Sequence, residues 1–372
     1  GMACKYNPAI MAWMKDHNIP TTDELQRYYV HRVYEILKKH SRQMIGWEET
    51  FNDKLPKDAV VHKWIPGDNG IIKSYGKVAD FTGHGNQVLV SEGFYLDVFM
   101  PAYIYYTNPA FMGADDPGVM GGEAAQWTEL ADNENIDARI WPRAAAVAER
   151  LWSPVDVNDI DDMYRRLFAV SYQLDAQGLP HVSNYERALR RLTNGAPTEH
   201  LKTLTDILTP VKGYRKLMSA MFKASQTSFQ TTPFTAVSDI VFVDSEVKRK
   251  FRALIKIYLQ KQDKVTGNEI RSYLTAWQQN DLALEPMFPG NNRLAEVQEH
   301  SMNLSAAATI GLEALDRIEK GAPADAVWIQ QKSNQLGGYE RAKNDTEIAV
   351  IPEIGALVLG HIVAEPASYS AF

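Results

Sequence analysis

The stretch GGEAAQWTE at residues 121–129, followed by RIWPRAAAVAERLW at residues 139–152, carries the strongest signal for the fold of this chain. Two glycines allow close packing of the backbone, and a carboxylate, an indole and a second carboxylate follow them. A flat apolar wall beside hydrogen-bond acceptors is what a sugar ring requires of its binding site. The stretch therefore predicts the end of a β-strand that contributes to a carbohydrate site.

Composition sets limits on the class of protein. The chain has 372 residues, of which 45% are hydrophobic and 23% charged, as is typical of a globular protein with two domains. The net charge of -7 argues against nucleic acid or an anionic membrane as partner. A single cysteine, Cys4, excludes an internal disulfide framework. We expect no membrane span, no signal peptide, no metal site and no cofactor, because the residue patterns that each requires are missing.

Four short apolar runs, each ending in polar or aromatic residues, predict β-strands. They are residues 44–47, 59–64, 88–97 and 119–127. Helical signals precede, separate and follow them. Helices are predicted over 8–15, with Asn7 as the cap, and over 71–79 and 140–152. A further helix is predicted to begin at Thr21, and its apolar face consists of Leu25, Tyr29, Val33, Ile36 and Leu37. Strands that alternate with helices favour βα units and a parallel sheet.

The number of strands predicts half of a barrel. A complete (β/α)8 barrel needs eight strands and about 250 residues, and four strand runs are found here. From residue 158 onward the pattern is helical, with predicted helices at 163–174, 198–208, 213–224, 246–259, 268–284, 293–318, 324–335 and 352–362, and a loop at 225–235. The predicted fold class is α/β: residues 1–185 form the last four strands of a TIM-type barrel, and residues 190–372 form an all-α bundle.

Five ordered blocks resemble glycoside hydrolase family 20, the β-N-acetylhexosaminidases. The blocks are residues 7–14, 45–49, 60–64, 94–97 and 121–129. They are similar to the helix that follows the catalytic pair of the family and to its fifth to eighth strands. The resemblance covers about residues 7–178, and it implies a site at the carboxyl ends of the strands.

The resemblance implies substrate-assisted hydrolysis, in which the acetamido oxygen of the substrate attacks the anomeric carbon. Trp47, Trp64 and Trp127 would enclose the N-acetyl group and the sugar ring. Tyr95 would donate a hydrogen bond to the acetamido oxygen. For all four residues, a place in the hydrophobic core is the alternative interpretation.

Two carboxylates would hold sugar hydroxyls by the same resemblance: Asp97 and Glu129. Alternatively, Asp97 caps the next helix and Glu129 is an ordinary surface carboxylate. Structural roles are also predicted for Glu48, Glu49, Glu123, His62 and the 139–152 block. For the three glutamates, direct contact with the substrate is the alternative.

One part of the family pattern has no counterpart in this sequence. The catalytic Asp-Glu pair of the family lies just ahead of the Asn-Pro helix, and its sugar-gripping arginine lies on the first strand. Asp23-Glu24 instead opens a helix. A positioned general acid contributes about 10²–10⁴-fold, so we expect a fragment or a split reading frame that is nearly inactive alone.

Three functions remain open at this point: a β-N-acetylhexosaminidase present in part, a non-catalytic carbohydrate-binding remnant, and an interaction protein that works through its helical domain. The expected partner is a glycan that contains N-acetylhexosamine. Because half a barrel leaves strand edges open, we also expect a homodimer that completes the barrel, or a helical domain that packs into the opening. The family resemblance suggests a periplasmic or secreted protein.

Overall fold

The computed structural model describes residues 2–67, 74–108, 115–213, 215, 234–322 and 325–366. The chain divides into two compact units. The sheet unit comprises Gly1–Tyr95, Thr107–Ala125 and Arg150–Val155. The helical unit comprises Leu96–Tyr106, Gln126–Glu149 and Asp156–Phe372. No helix within the described ranges is both long and apolar enough to cross a membrane.

The sheet unit contains a parallel sheet, as the four apolar runs predict. Its strands, in spatial order, are β1 (Ile45–Trp47), β2 (Val60–Lys63), β3 (Gln87–Val90) and β4 (Val119–Gly122). The last two strands are shorter than predicted, because the chain leaves the ladder after Val90 and after Gly122. A single further bridge joins Tyr95 to Ala125. The α/β class with parallel pairing is therefore confirmed.

The helices of the sheet unit are α1 (Met2–Tyr6), α2 (Pro8–Asp16), α3 (Thr22–Lys39) and α4 (Val78–His84). Of these, α3 and α4 contribute Tyr34 and Phe81 to the core around the strands. The predicted caps are confirmed: the side chain of Asn7 accepts from the N–H of Ala9 at 3.0 Å, and Thr21 Oγ1 accepts from the N–H of Glu24 at 3.2 Å. The helix predicted at 71–79 begins only at Val78, and residues 68–73 lie outside the described ranges.

The buried face of α3 differs from the predicted one. Tyr34 is its buried residue, and Val30 and Leu37 pack beside it against the core of the sheet unit. Tyr29 and Ile36, which were predicted on the buried face, are exposed. The buried stripe therefore runs through Val30, Tyr34 and Leu37, at the spacing of one helical face.

The helical unit is built mainly from helices. They are α5 (Ala102–Tyr106), α6 (Ile136–Ile140), α7 (Arg143–Trp152, whose last residues belong to the sheet unit), α8 (Ile160–Ala176), α9 (His181–Leu192), α10 (Glu199–Thr205), α11 (Val237–Ile240), α12 (Glu246–Lys261), α13 (Lys264–Leu284), α14 (Asn292–Ala295), α15 (Gln298–Glu319), α16 (Ala326–Tyr339) and α17 (Ile351–Leu359). Its largest core lies around α13 and α15, which approach closely at Gly311: a Cβ there would lie 2.7 Å from Leu274.

Several predictions for this region need correction. The helix predicted over 140–152 is interrupted at Pro142, because proline disfavours helical geometry in the residue before it. The helix predicted over 293–318 is two helices, α14 and α15. The predictions at 213–224 and 225–235 lie almost wholly outside the described residues.

The region predicted as all-α also contains a two-stranded antiparallel ribbon. Its strands are β5 (Leu208–Pro210) and β6 (Thr346–Ile348), and Thr209 pairs with Glu347. Strands of three residues are too short for an alternating pattern to show in the sequence. Because the two strands lie far apart along the chain, no local turn signal announces the pairing either.

Candidate functional site

Three predicted site residues form a row of aromatic rings in the sheet unit. Trp47 ends β1, Trp64 follows β2, and Tyr95 lies beyond β3 at the isolated bridge. The ring centroids of Trp47 and Trp64 are 6.2 Å apart at an angle of 78°, and those of Trp64 and Tyr95 are 6.2 Å apart at 50°. The two indoles are half-buried and the tyrosine is buried. Parallel pairing brings these strand ends to one edge of the sheet, as the sequence predicts.

A buried carboxylate fixes the backbone beside Trp64. Glu48 accepts hydrogen bonds from the N–H groups of Trp64 at 3.2 Å, Ile65 at 3.3 Å and Tyr75 at 3.1 Å. Its charge is balanced by Lys63, whose Nζ lies 2.9 Å from Oε2. The predicted structural role of Glu48 is confirmed.

Side chains on either side hold the two indoles in place. Glu49 accepts a hydrogen bond from the indole N–H of Trp64 at 3.0 Å. The imidazole of His62 stacks on Trp47, with centroids 4.0 Å apart and planes within 15°. Burial lowers the pKa of His62, and the charge of Glu123, 3.4 Å away, opposes that shift. These contacts restrict the orientation of both rings. The predicted structural role of His62 is confirmed, and those of Glu49 and Glu123 stay predictions.

The other three predicted site residues meet in the helical unit. Asp97 lies in the 3₁₀ turn Leu96–Val98 and is only 7% exposed. Burial raises its pKa to about 6; the nearby Glu129 adds to the shift, while Arg143 and the backbone N–H of Trp127 oppose it. Trp127 is 48% exposed and Glu129 is exposed. A buried acceptor beside an exposed indole and a second carboxylate is an arrangement that can bind hydroxyl groups.

A buried arginine secures the turn that carries Asp97. Arg143 donates to the carbonyl of Leu96 at 2.9 Å, to that of Met100 at 3.1 Å and to the hydroxyl of Tyr105 at 3.1 Å. The two carbonyls flank Asp97, so one planar guanidinium fixes both ends of the turn. This confirms the predicted structural role of the 139–152 block for Arg143.

Sequence reasoning missed Asp244, which holds the segment that follows this turn. Its carboxylate accepts from the N–H of Ala102 at 3.0 Å and from the hydroxyl of Tyr164 at 2.5 Å. Asp244 therefore accepts the hydrogen bond from the first N–H group of α5. The alternative interpretation, in which Asp97 caps this helix, is wrong. Because 142 residues separate Asp244 from Ala102, no local pattern could have revealed the contact.

The extent of burial decides whether each remaining site residue belongs to the hydrophobic core or lies at the surface. The three tryptophans are not core residues, since each is half-buried or more exposed, whereas Tyr95 is buried. Glu129 lies at the surface, yet its charge acts on Asp97. Within the ranges that the structure describes, no group of three or more histidine, cysteine and carboxylate side chains could hold a metal ion.

Comparison with known proteins identifies a class of protein that fits this fold and these residues, the glycoside hydrolases. Residues 3–155 match the family described as Glycosyl hydrolase family 20, catalytic domain. Beta-hexosaminidase 3 of Arabidopsis thaliana is 38% identical over 157 residues, which cover 40% of this chain and 28% of that protein. Beta-hexosaminidase subunit beta of Homo sapiens is 34% identical over 171 residues, which cover 43% of this chain and 30% of that protein.

A solved structure extends the likeness to almost the whole chain. The chitobiase of Flavobacterium johnsoniae superposes with a TM-score of 0.79 at 28% identity, covering 95% of this chain and 53% of that one. Together these findings show that residues 3–155 are similar to the catalytic domain of glycosyl hydrolase family 20. The chain spans about a third of the length of these curated relatives and about half of the chitobiase.

Proposed function

We propose that this chain works as part of a β-N-acetylhexosaminidase that removes terminal N-acetylglucosamine or N-acetylgalactosamine from glycans. The observation that carries the proposal is the aromatic row of Trp47, Trp64 and Tyr95 at consecutive strand ends. The similarity to glycosyl hydrolase family 20 supports the reaction type, and the row supports recognition of an N-acetyl group.

The aromatic row would act on the acetamido group of the substrate. The indoles of Trp47 and Trp64 offer two faces at a steep angle, against which the acetamido methyl group can pack. The hydroxyl of Tyr95 would donate a hydrogen bond to the acetamido oxygen and align it with the anomeric carbon. Attack by this oxygen forms a cyclic intermediate as the aglycone leaves, and water then opens that intermediate with net retention.

Asp97, Trp127 and Glu129 would bind the sugar ring itself. The two carboxylates would accept hydrogen bonds from sugar hydroxyls, and the exposed indole would cover an apolar face of the ring. Charge-assisted hydrogen bonds of this kind are about twice as strong as neutral ones. Because Asp97 is buried, the site would bind a sugar with a hydroxyl at this position more tightly than an analogue whose group there cannot donate a hydrogen bond.

The proposal assigns binding and orientation to these six residues and assigns none of them the role of general acid. That proton is expected from the Asp-Glu pair that the family carries ahead of the Asn-Pro helix. We further propose that residues 1–185 supply the last four strands of a TIM-type barrel and that residues 190–372 form a helical domain. When that amino-terminal half is absent, a homodimer that pairs two such sheets would close the barrel instead.

Complementation tests the proposed activity. Residues 1–372 are mixed with a separately expressed amino-terminal half of a family 20 barrel, and hydrolysis of an aryl N-acetylglucosaminide is measured. We expect activity only in the mixture and its loss when Trp64 is replaced by alanine. Absence of activity in every mixture, despite a folded chain, would contradict the hydrolase proposal.

The second candidate is a carbohydrate-binding protein without catalysis. It is favoured by one observation: every residue assigned above serves recognition, and Glu49 and His62 preset the two indoles independently of any acid. Binding of N-acetylglucosamine to residues 1–372, measured by calorimetry, separates the candidates. Binding without complementation supports this second function.

A further inference from the structure

A cavity of about 300 Å³ lies within the helical unit, and Asp244 is among the residues that line it. The ribbon β5–β6, helix α12, the start of α17 and the segment Val363–Pro366 contribute its walls. Its volume is at the lower end of the range for small-molecule sites. The cavity is therefore large enough for one small ligand.

One buried carboxylate in this wall has an unused oxygen. Glu353 is fully buried, and its Oε1 takes the cationic partners: Arg252 Nη1 at 3.2 Å and Lys248 Nζ at 4.0 Å. Its Oε2 is buried and has no hydrogen-bond partner among the described residues. A buried acceptor without a partner costs free energy, and a ligand that donates a hydrogen bond would remove that cost.

The charges of the lining indicate the class of ligand. Four cations line the cavity, namely Lys212, Lys248, Arg249 and Arg252, together with five carboxylates. An anion would meet the carboxylates, and a cation would meet the lysines and arginines. An uncharged ligand avoids both penalties.

The cations are also already paired, which disfavours a ligand carboxylate. Lys212 contacts Glu347, and Glu365 lies 3.2 Å from Lys248 and 2.6 Å from Arg249. A hydroxyl group can share such partners, because it both donates and accepts. Several hydroxyls on one small frame would therefore fit the mixed lining.

We propose that this cavity binds a single sugar ring, with one hydroxyl donating to Oε2 of Glu353 after this fully buried side chain turns toward the cavity, and with other hydroxyls accepting from the flanking lysine and arginine side chains. The residues that line the cavity include neither Asp97 nor any member of the aromatic row, and the inference does not rest on the proposed hydrolase activity. It gives the helical unit a binding function of its own.

The test measures binding of glucose, galactose and N-acetylglucosamine to residues 1–372 by calorimetry and by saturation-transfer NMR. We expect at least one of them to bind, and Glu353→Gln to weaken that binding about tenfold through the lost charged hydrogen bond. Ala349→Leu, which fills space in the cavity and keeps every charge, should also weaken it. Glu269→Gln, the same change at an exposed glutamate of α13 outside the cavity, is the matched control and should leave this binding unchanged.

Three outcomes would overturn the inference. Binding that survives both cavity variants but is lost in Trp127→Ala belongs to the proposed N-acetylhexosamine site. Protection against thermal unfolding by glycine or inorganic phosphate, with none by the sugars, would make the ligand a zwitterion or an anion. Absence of binding by all three sugars to the folded wild-type chain would mean that the cavity is no sugar site. If Glu353→Gln fails to fold, Ala349→Leu still decides the question.

Discussion

At the scale of single residues, Tyr95 has a chemical role in the proposed reaction that packing alone would not require. Replacing it with phenylalanine keeps the ring against Trp64 and removes the hydroxyl. If this hydroxyl stabilises charge that develops on the acetamido group, its loss should lower kcat of the complemented enzyme about 10²-fold and change KM little. Tyr29→Phe, at an exposed site on α3, is the matched control. An unchanged kcat in Tyr95→Phe would exclude the assigned role.

Asp97 gives a prediction about stability and pH. Its carboxyl has a pKa of about 6 in the folded chain against 3.8 for the unperturbed group, so the folded state binds the proton more tightly. The stability that this protonation contributes is complete below pH 3.8 and is lost as the pH rises through about 6. Asp97→Asn should therefore be more stable than wild type at pH 8, by at most about 3 kcal/mol at 1.36 kcal/mol per pKa unit.

Denaturant unfolding at several pH values measures this difference. The gap between Asp97→Asn and wild type should shrink as the pH falls and should be smallest at pH values below the unperturbed pKa of the group. Asp156→Asn is the control, because Asp156 is exposed and is not among the charges that shift the pKa of Asp97. An equal gap at acidic and basic pH would show that burial of the charge is not the cause.

The sequence revealed the identities of these residues but not their environments. Trp47 and Trp64 could be predicted because each ends an apolar run, and consecutive parallel strands end at the same edge. The raised pKa of Asp97 depends on Arg143 and Trp127, which come from other segments. The fixed orientation of Trp64 depends in the same way on Glu49. Such effects depend on distances across the fold, which a local pattern does not contain.

At the scale of elements, α5 shows that the helical unit supports the turn with Asp97. Asp244 accepts from the first N–H of α5 and from Tyr164 on α8, and the N–H of Gly213 donates to the carbonyl of Val98 at 2.7 Å. The turn Leu96–Val98 is thus held from one side by Arg143 and from the other by residues far along the chain. We expect the orientation of Asp97 to depend on these contacts.

Asp244→Ala tests that dependence. Loss of the cap and of a half-buried hydrogen-bond acceptor should destabilise the helical unit by about 1–3 kcal/mol. It should also weaken binding of N-acetylglucosamine, because the turn with Asp97 loses an anchor. Calorimetry and thermal unfolding report the two effects separately. Glu246→Ala removes a nearby half-buried carboxylate that accepts from the exposed Tyr172 and pairs with Lys250, and it should leave the sugar affinity unchanged. Equal sugar affinity in Asp244→Ala and wild type would exclude a positioning role.

Elements were predictable from the sequence where periodicity extends over several residues. The strands β1 to β4 and the long helices α3, α8, α12, α13 and α15 follow from apolar spacing and caps. The end of the helix before Pro142 could also have been predicted, because a proline disfavours helical geometry in the residue before it. The ribbon β5–β6 could not, because its pairing is non-local and each strand has only three residues.

At the scale of the whole molecule, the strand order leaves two outer strands in the sheet, and their edges are the surfaces through which we expect the chain to assemble. In the described part of the chain, β1 and β4 are the outer strands, and Met120 on β4 is 54% exposed. Outer strands with exposed apolar side chains favour pairing with another chain. The proposed homodimer would satisfy these edges by joining two sheets around a two-fold axis.

Met120→Lys tests this assembly, because a lysine on an outer strand opposes edge-to-edge pairing through its charge. Sedimentation at micromolar concentration should show a dimer for residues 1–372 and a shift toward monomer in the variant. The buried charge should raise the Kd of the dimer at least about tenfold. Val265→Lys introduces the same charge at a residue that is 78% exposed on α13, and it should leave the dimer intact. A wild-type chain that sediments as a monodisperse monomer would exclude the homodimer and leave the edges to be covered by a complementary half of the barrel. In that case, adding the amino-terminal half used in the complementation assay should produce a one-to-one complex, and Met120→Lys should weaken that complex instead.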